Sequence, residues 1–123
     1  MYEHFSFLEL IHTNESVNNV PCQMEHVENL VLLAQLLEEI RNLYGHPIVV
    51  TSAFRNSLVN AKVGGVSNSY HLQGRAADIR PNLHPSKDYY FNFQTLLDVV
   101  KKFEDELEEI IVDPKQRYIH IAI

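Results

Sequence analysis

Cysteine is almost absent. Cys22 stands alone among 123 residues, so no internal disulfide can form and a disulfide-built secreted scaffold is excluded. There is no tryptophan, only four glycines and five prolines, and neither an internal repeat nor a low-complexity linker. Cations are outnumbered: 10 Lys and Arg against 16 Asp and Glu leave a formal charge of −6, which argues against a nucleic-acid partner. No apolar run approaches the ~18 residues of a membrane span, so no membrane insertion is expected. The first residues lack the basic region, apolar core and small-residue cleavage site of a signal peptide, so export would need another route.

What is present is ordinary for a soluble domain: 46% hydrophobic residues, six Phe and six Tyr. A chain of this length can bury a real core without staples, and a single domain over residues 1–123 is expected. Phe5 to Leu10 reads as a short helix or turn on the surface, and Asn14 to Cys22 as a loop. Val27, Leu30, Val31, Ala34, Leu37 and Ile40 repeat at helical spacing, with a stop at Gly45. Ile48 to Ser52 reads as a β-branched strand, Ser57 as the cap of a short helix, and Ala76 to Ile79 as a second strand before a Pro81–Pro85 loop. Phe91 to Phe103 is helical in period. Glu109 to Val112 and Tyr118 to Ile123 read as strands joined by Asp113-Pro114-Lys115-Gln116, with Asp and Pro placed for a type I turn. The expected fold is α+β: one compact domain, a mostly antiparallel central sheet, and helices around it.

Three residues carry the chemical signal. His71 and Asp78 lie seven apart in Ser69-Tyr70-His71-Leu72-Gln73-Gly74-Arg75-Ala76-Ala77-Asp78, and His120 lies on the apolar strand near the end. Two histidines and an aspartate suit a zinc site that keeps one position for water. Each has a plainer reading alone. His71 could be a hydrogen-bonded histidine, Asp78 an ion-pair partner of Arg75 or Arg80, and His120 a member of a solvated sheet face.

Taken together, Ser69, His71, Gly74, Ala76 and Asp78 resemble the signature of the zinc D-Ala-D-Ala carboxypeptidase family, which shares its fold with the metal domain of hedgehog proteins. Thr51-Ser52-Ala53-Phe54-Arg55, the Asn60–Ser69 segment and Tyr118-Ile119-His120-Ile121-Ala122 resemble further family motifs, so the likeness spans nearly the whole chain. The resemblance implies one Zn²⁺ on His71, Asp78 and His120, and hydrolysis of peptidoglycan peptides by a D,D-carboxypeptidase or a stem or cross-link endopeptidase. Arg55 would steady the developing oxyanion and help to bind substrate, and Ser69 would hydrogen-bond near the ligands. A single catalytic domain of this kind, expected to be monomeric, suits a phage-type lysin.

One departure is serious. Where the family places a carboxylate base three residues before the last histidine, this chain has Arg117. Asp113, at a position where related sequences often carry glutamate, and Glu109 are the carboxylates that could replace it. A two-residue loop closed by Asp113 and Gln116 would set Glu109 directly opposite His120, with Cβ atoms ~5 Å apart. Glu109 could equally belong to the solvated acidic run from Glu104. Ala53 and Phe54 replace the family's Gly and Tyr, removing a hydroxyl. Two other functions remain open: a catalytically silent zinc-binding domain that binds wall peptides or is structural, and hydrolysis of a free dipeptide, for which the chain lacks the expected insertions.

Overall fold

A computed structural model describes residues 4–15, 18–82 and 87–123, with the Lys87 side chain excepted. In chain order the elements are α1 (Phe7–Ile11), α2 (Met24–Tyr44), β1 (Ile48–Ser52), α3 (Ser57–Lys62), β2 (Ala76–Pro81), α4 (Lys87–Lys101), β3 (Glu109–Val112) and β4 (Ile119–Ala122). Short 3-10 turns cover Tyr70–Gln73 and Glu104–Glu106. The four strands form one antiparallel sheet in the order β1-β2-β4-β3, as the α+β reading expects.

Alternation along the strands gives the sheet two different faces. Ala77, Ile79, Ile119 and Ile121 join Leu30, Leu37 and Ile40 of α2 and Phe93, Leu96 and Val100 of α4 in one core. The opposite face carries Asp78, His120 and Ile111. The helix α2 buries Leu30, Ala34, Leu37 and Ile40 of the expected stripe together with Leu33 and Leu36, because α4 packs beside it, whereas Val27 and Val31 stay half-buried.

Several expectations need correction. The Phe5–Leu10 segment forms the short helix expected, from Phe7 onward as part of α1, but it is not a surface feature: Phe5 and Leu10 are fully buried, and the Leu10 carbonyl accepts from Phe54 N (2.9 Å). Apolar surface this close to the core is covered rather than left in water. Asn56, not Ser57, caps α3, its side chain accepting from Val59 N (2.9 Å). The helix α4 begins four residues earlier than Phe91, because Tyr89 continues the apolar stripe of Phe93, Leu96 and Val100. Pro81 ends β2 instead of opening a loop, and a strand end tolerates its missing N–H. Residues 83–85 of that expected loop lie outside the described residues, as do residues 16–17 of the earlier one.

The β3–β4 hairpin also differs in register. Asp113 N donates to the Tyr118 carbonyl (3.1 Å) and Gln116 N to the Asp113 carbonyl (2.8 Å), with Gln116 at φ 55°. The Asp-Pro turn therefore forms, but inside a four-residue loop. Ile111 faces His120 and Glu109 faces Ala122. The cause is Asp113 itself. Its buried carboxylate accepts from Arg117 N (3.0 Å), Nε (2.9 Å) and Nη2 (3.0 Å), which needs Arg117 inside the loop.

Those hydrogen bonds from Arg117 hold the Asp113 carboxyl well below its ordinary value, at about 2. A carboxyl depressed in the folded state adds stability above its unfolded value of about 3.9, and that contribution fades as pH falls toward 2. Asp113→Asn should therefore melt below wild type at pH 7, with the gap closing between about pH 4 and pH 2 in thermal scans. A gap that stays constant down to pH 2 would show that the carboxylate charge is not its source.

Candidate metal centre

Register across the sheet assembles the site. Ser52 pairs with Asp78, Asp78 with His120, and His120 with Ile111, giving one row across four strands. A bulge in β1 between Val50 and Ser52 makes the first of these pairings. Without the extra residue Thr51 would oppose Asp78, so the bulge re-aims Ser52 onto the site face.

His71 reaches the row from the turn ahead of β2. The Ser69 hydroxyl caps that turn by accepting from His71 N (3.1 Å). Gly74 closes it at φ 72°, where a Cβ would lie 2.6 Å from the His26 carbonyl on α2. Only glycine meets both conditions. Arg55 N donates to the His71 carbonyl (3.0 Å), tying the end of β1 to the same turn.

The three expected ligands come together. His71 Nε2 lies 3.3 Å and His120 Nδ1 2.9 Å from Asp78 Oδ1. One ligand atom from each of the three falls within 4.8 Å of the others, a set able to hold a metal ion. The donor chemistry fits such an ion. His71 Nδ1 donates to the Ala53 carbonyl (2.6 Å), and because a carbonyl only accepts, the neutral ring must present a bare Nε2 to Asp78. His71 and Asp78 are buried and His120 is nearly so, which keeps competing water few.

The electrostatics follow from the same contacts. Burial pushes the Asp78 carboxyl up, but the hydrogen bond and charge of His120, joined by those of His71 whenever its ring is protonated, outweigh it and bring the group down to about 2. Burial likewise lowers His120, yet its two carboxylate partners raise it above the ordinary histidine value. The second of these is Glu109, whose Oε1 lies 2.9 Å from His120 Nε2. Glu109 thus reaches His120 diagonally rather than from the directly opposite position, on the same face.

The remaining expected residues divide. Arg55 enters the site: Nε donates to Ser52 Oγ (3.1 Å), Nη1 to Asn60 Oδ1 (3.4 Å), and Nη2 lies 3.6 Å from Asp78 Oδ2. Neither arginine weighed as Asp78's partner takes that place, since Arg75 bonds the Ile123 carbonyl and Arg80 the Pro81 carbonyl. Asp113 is held in the hairpin by Arg117 and does not line the cleft. Arg117, two-thirds exposed, turns to Asp113 and not to the site.

Above the row opens a cleft of about 470 Å³, within the usual range for small-ligand sites. Arg55 and Ser69 line it, Val66 and Ile111 form an apolar rim, and Asp78 and Glu109 are its carboxylates among the described residues. Sequence reasoning missed Ser52, Asn60 and the Ala53 carbonyl. A backbone acceptor and a bulge leave no mark in residue identity, whereas Asn60 stood inside a recognised motif.

The comparisons with known proteins agree with this geometry. The chain matches the family described as Peptidase M15 over residues 3–122 and belongs to that family. Over 52 residues it is 40% identical to a zinc D-Ala-D-Ala carboxypeptidase of Streptomyces albus G. That stretch is 42% of this chain and spans one fifth of the relative.

Zinc should raise the melting temperature, since a ligand bound only by the folded chain stabilises it by about 2.7 kcal/mol at a hundredfold excess over Kd. His71→Ala, Asp78→Ala and His120→Ala should each abolish that shift and the copurifying metal. Equal melting with and without zinc, and no metal by elemental analysis, would remove the site.

Proposed function

We propose that this chain is a single-domain zinc peptidase, residues 1–123, that hydrolyses peptide bonds in peptidoglycan peptides. The observation that carries the proposal is the convergence of His71 Nε2, Asp78 Oδ1 and His120 Nδ1 at the floor of a cleft that also holds a guanidinium and a second carboxylate. Membership of a peptidase family supports the reaction class, and the partial likeness to the Streptomyces carboxypeptidase supports the metal and the substrate. No helix among the described residues is long and apolar enough to cross a membrane.

His71, Asp78 and His120 would hold one zinc ion, which supplies Lewis-acid polarisation of the scissile carbonyl and a more acidic water. Arg55 has N–H groups left after its bonds to Ser52 and Asn60, and these would meet the carbonyl oxygen as it gains charge. Its charge persists at every working pH. Ser69 would hold the substrate backbone at the cleft wall while its oxygen fixes the turn of His71. Val66 and Ile111 offer the substrate an apolar edge.

Glu109 takes the role of general base. Its Oε1 holds His120, and its Oε2 has no partner among the described residues, so one carboxylate can orient the imidazole and accept the proton of the attacking water. Asp113, bonded three times to Arg117, has neither a free oxygen aimed at the cleft nor a pKa suited to taking a proton. Whether a terminal residue or an internal cross-link is released is decided by the products from defined muropeptides under mass spectrometry.

Two variants at Glu109 separate its two duties. Glu109→Gln keeps an oxygen for His120 but cannot take a proton, so zinc should stay bound while kcat falls ~10²–10⁴-fold. Glu109→Ala should lower the rate as much and weaken zinc as well, by ~10–100-fold. Wild-type rates in both variants would place the base elsewhere. Arg55→Ala should fold, bind zinc and lose ~10²–10³ in kcat, and full activity would make Arg55 a structural ion-pair residue. Zinc-loaded wild type that leaves every muropeptide intact would instead define a silent zinc-binding domain.

A further inference from the structure

The Arg55 guanidinium sits beside a buried carboxylate without closing onto it. Its nearest approach to Asp78 is 3.6 Å, beyond the 2.7–2.9 Å typical of a charge-assisted hydrogen bond. Attraction between the charges is strong in a partly desolvated site, so something opposes it. Two anchors do: Ser52 Oγ on Nε and Asn60 Oδ1 on Nη1.

Of the two, Asn60 is the more constrained. Its side chain is buried at 4% exposure in α3. The amide Nδ2 donates to the Val66 carbonyl (2.9 Å), and a carbonyl only accepts, so Oδ1 must point at Arg55. Gly65 completes the arrangement. Its N–H donates to the Asn60 carbonyl (2.8 Å), and a Cβ at this position would stand 2.0 Å from Asn60 Oδ1 and 2.8 Å from Cγ. No side chain fits there while the amide keeps its place. The Val66 carbonyl also accepts from Ser69 N (3.2 Å), and Ser69 caps the turn that carries His71. One buried amide therefore connects the guanidinium, the cleft wall and the His71 turn.

We propose that Asn60 is a positioning residue, whose amide holds Arg55 in the cleft and off Asp78, and that Gly65 is bare because that amide occupies the space of its side chain. The effect on rate rests on the role given to Arg55 above; the steric pairing does not.

The test has two independent parts. In thermal melts of Gly65→Ala, Asn60→Ala and the double variant, Gly65→Ala should lower the melting temperature sharply in the wild-type background and far less beside Asn60→Ala, where the clashing atoms are gone. In ¹⁵N NMR, Asn60→Ala should shift the Arg55 Nε–H resonance, assigned by its loss in Arg55→Lys. Where wild type turns over, Asn60→Ala should lower kcat by roughly 10–100-fold with little change in KM, and should cost nothing further in an Arg55→Ala background. Additive melting effects, or an Arg55 resonance unmoved by Asn60→Ala, overturn the proposal whether or not the protein is active. An inactive wild type with both signatures present would overturn the catalytic reading and leave the positioning role standing.

Discussion

A carboxylate is buried in the middle of this sheet, and the surroundings are arranged around it. Asp78 is 7% exposed in β2, next to Ala76, Ala77 and Ile79, which have no exposed surface. Burying an unpaired charge costs several kcal/mol, so the fold must bring partners to it. His71 arrives from a turn, His120 from β4 and Arg55 from the end of β1, three segments far apart in the chain. The interior place of β2 in the order β1-β2-β4-β3 follows the same need, because only an interior strand has neighbours on both sides to supply them. Histidines are the partners a metal can use, and they make the burial an asset to function.

How much of this is legible in residue identities depends on what each feature rests on. The strands and the long helix rest on periodicity, and Ile48–Ser52 forms as read. The His71 and Asp78 spacing and the position of His120 make all three legible in the sequence. Burial of Phe5 and Leu10 was invisible, because a short apolar segment looks the same on a surface as beneath a helix. Hairpin register was invisible too. It turns on a tertiary detail, the bonding of Asp113 to Arg117, and a loop of four residues instead of two moves every cross-strand partner.

The same detail accounts for the apparent contradiction at Arg117. A cation in the position of an expected base would oppose a metal only if it faced inward. Its guanidinium instead bonds to Asp113, and that pairing spares the site a charge of the wrong sign. Glu109 reaches His120 although it is two residues from the opposite position, because side chains on one sheet face meet diagonally as well as directly. Under the proposed function, this is how a carboxylate on a neighbouring strand would stand in for a base at the Arg117 position.

The most direct test of the account is where a metal sits and through which atoms. A crystal structure of the zinc-loaded protein, with anomalous diffraction on either side of the zinc edge, should show one peak bonded to His71 Nε2, an Asp78 oxygen and His120 Nδ1, with Glu109 still on His120 Nε2. A peak at any other group of side chains, or ligation through His120 Nε2 with Glu109 displaced, would contradict it.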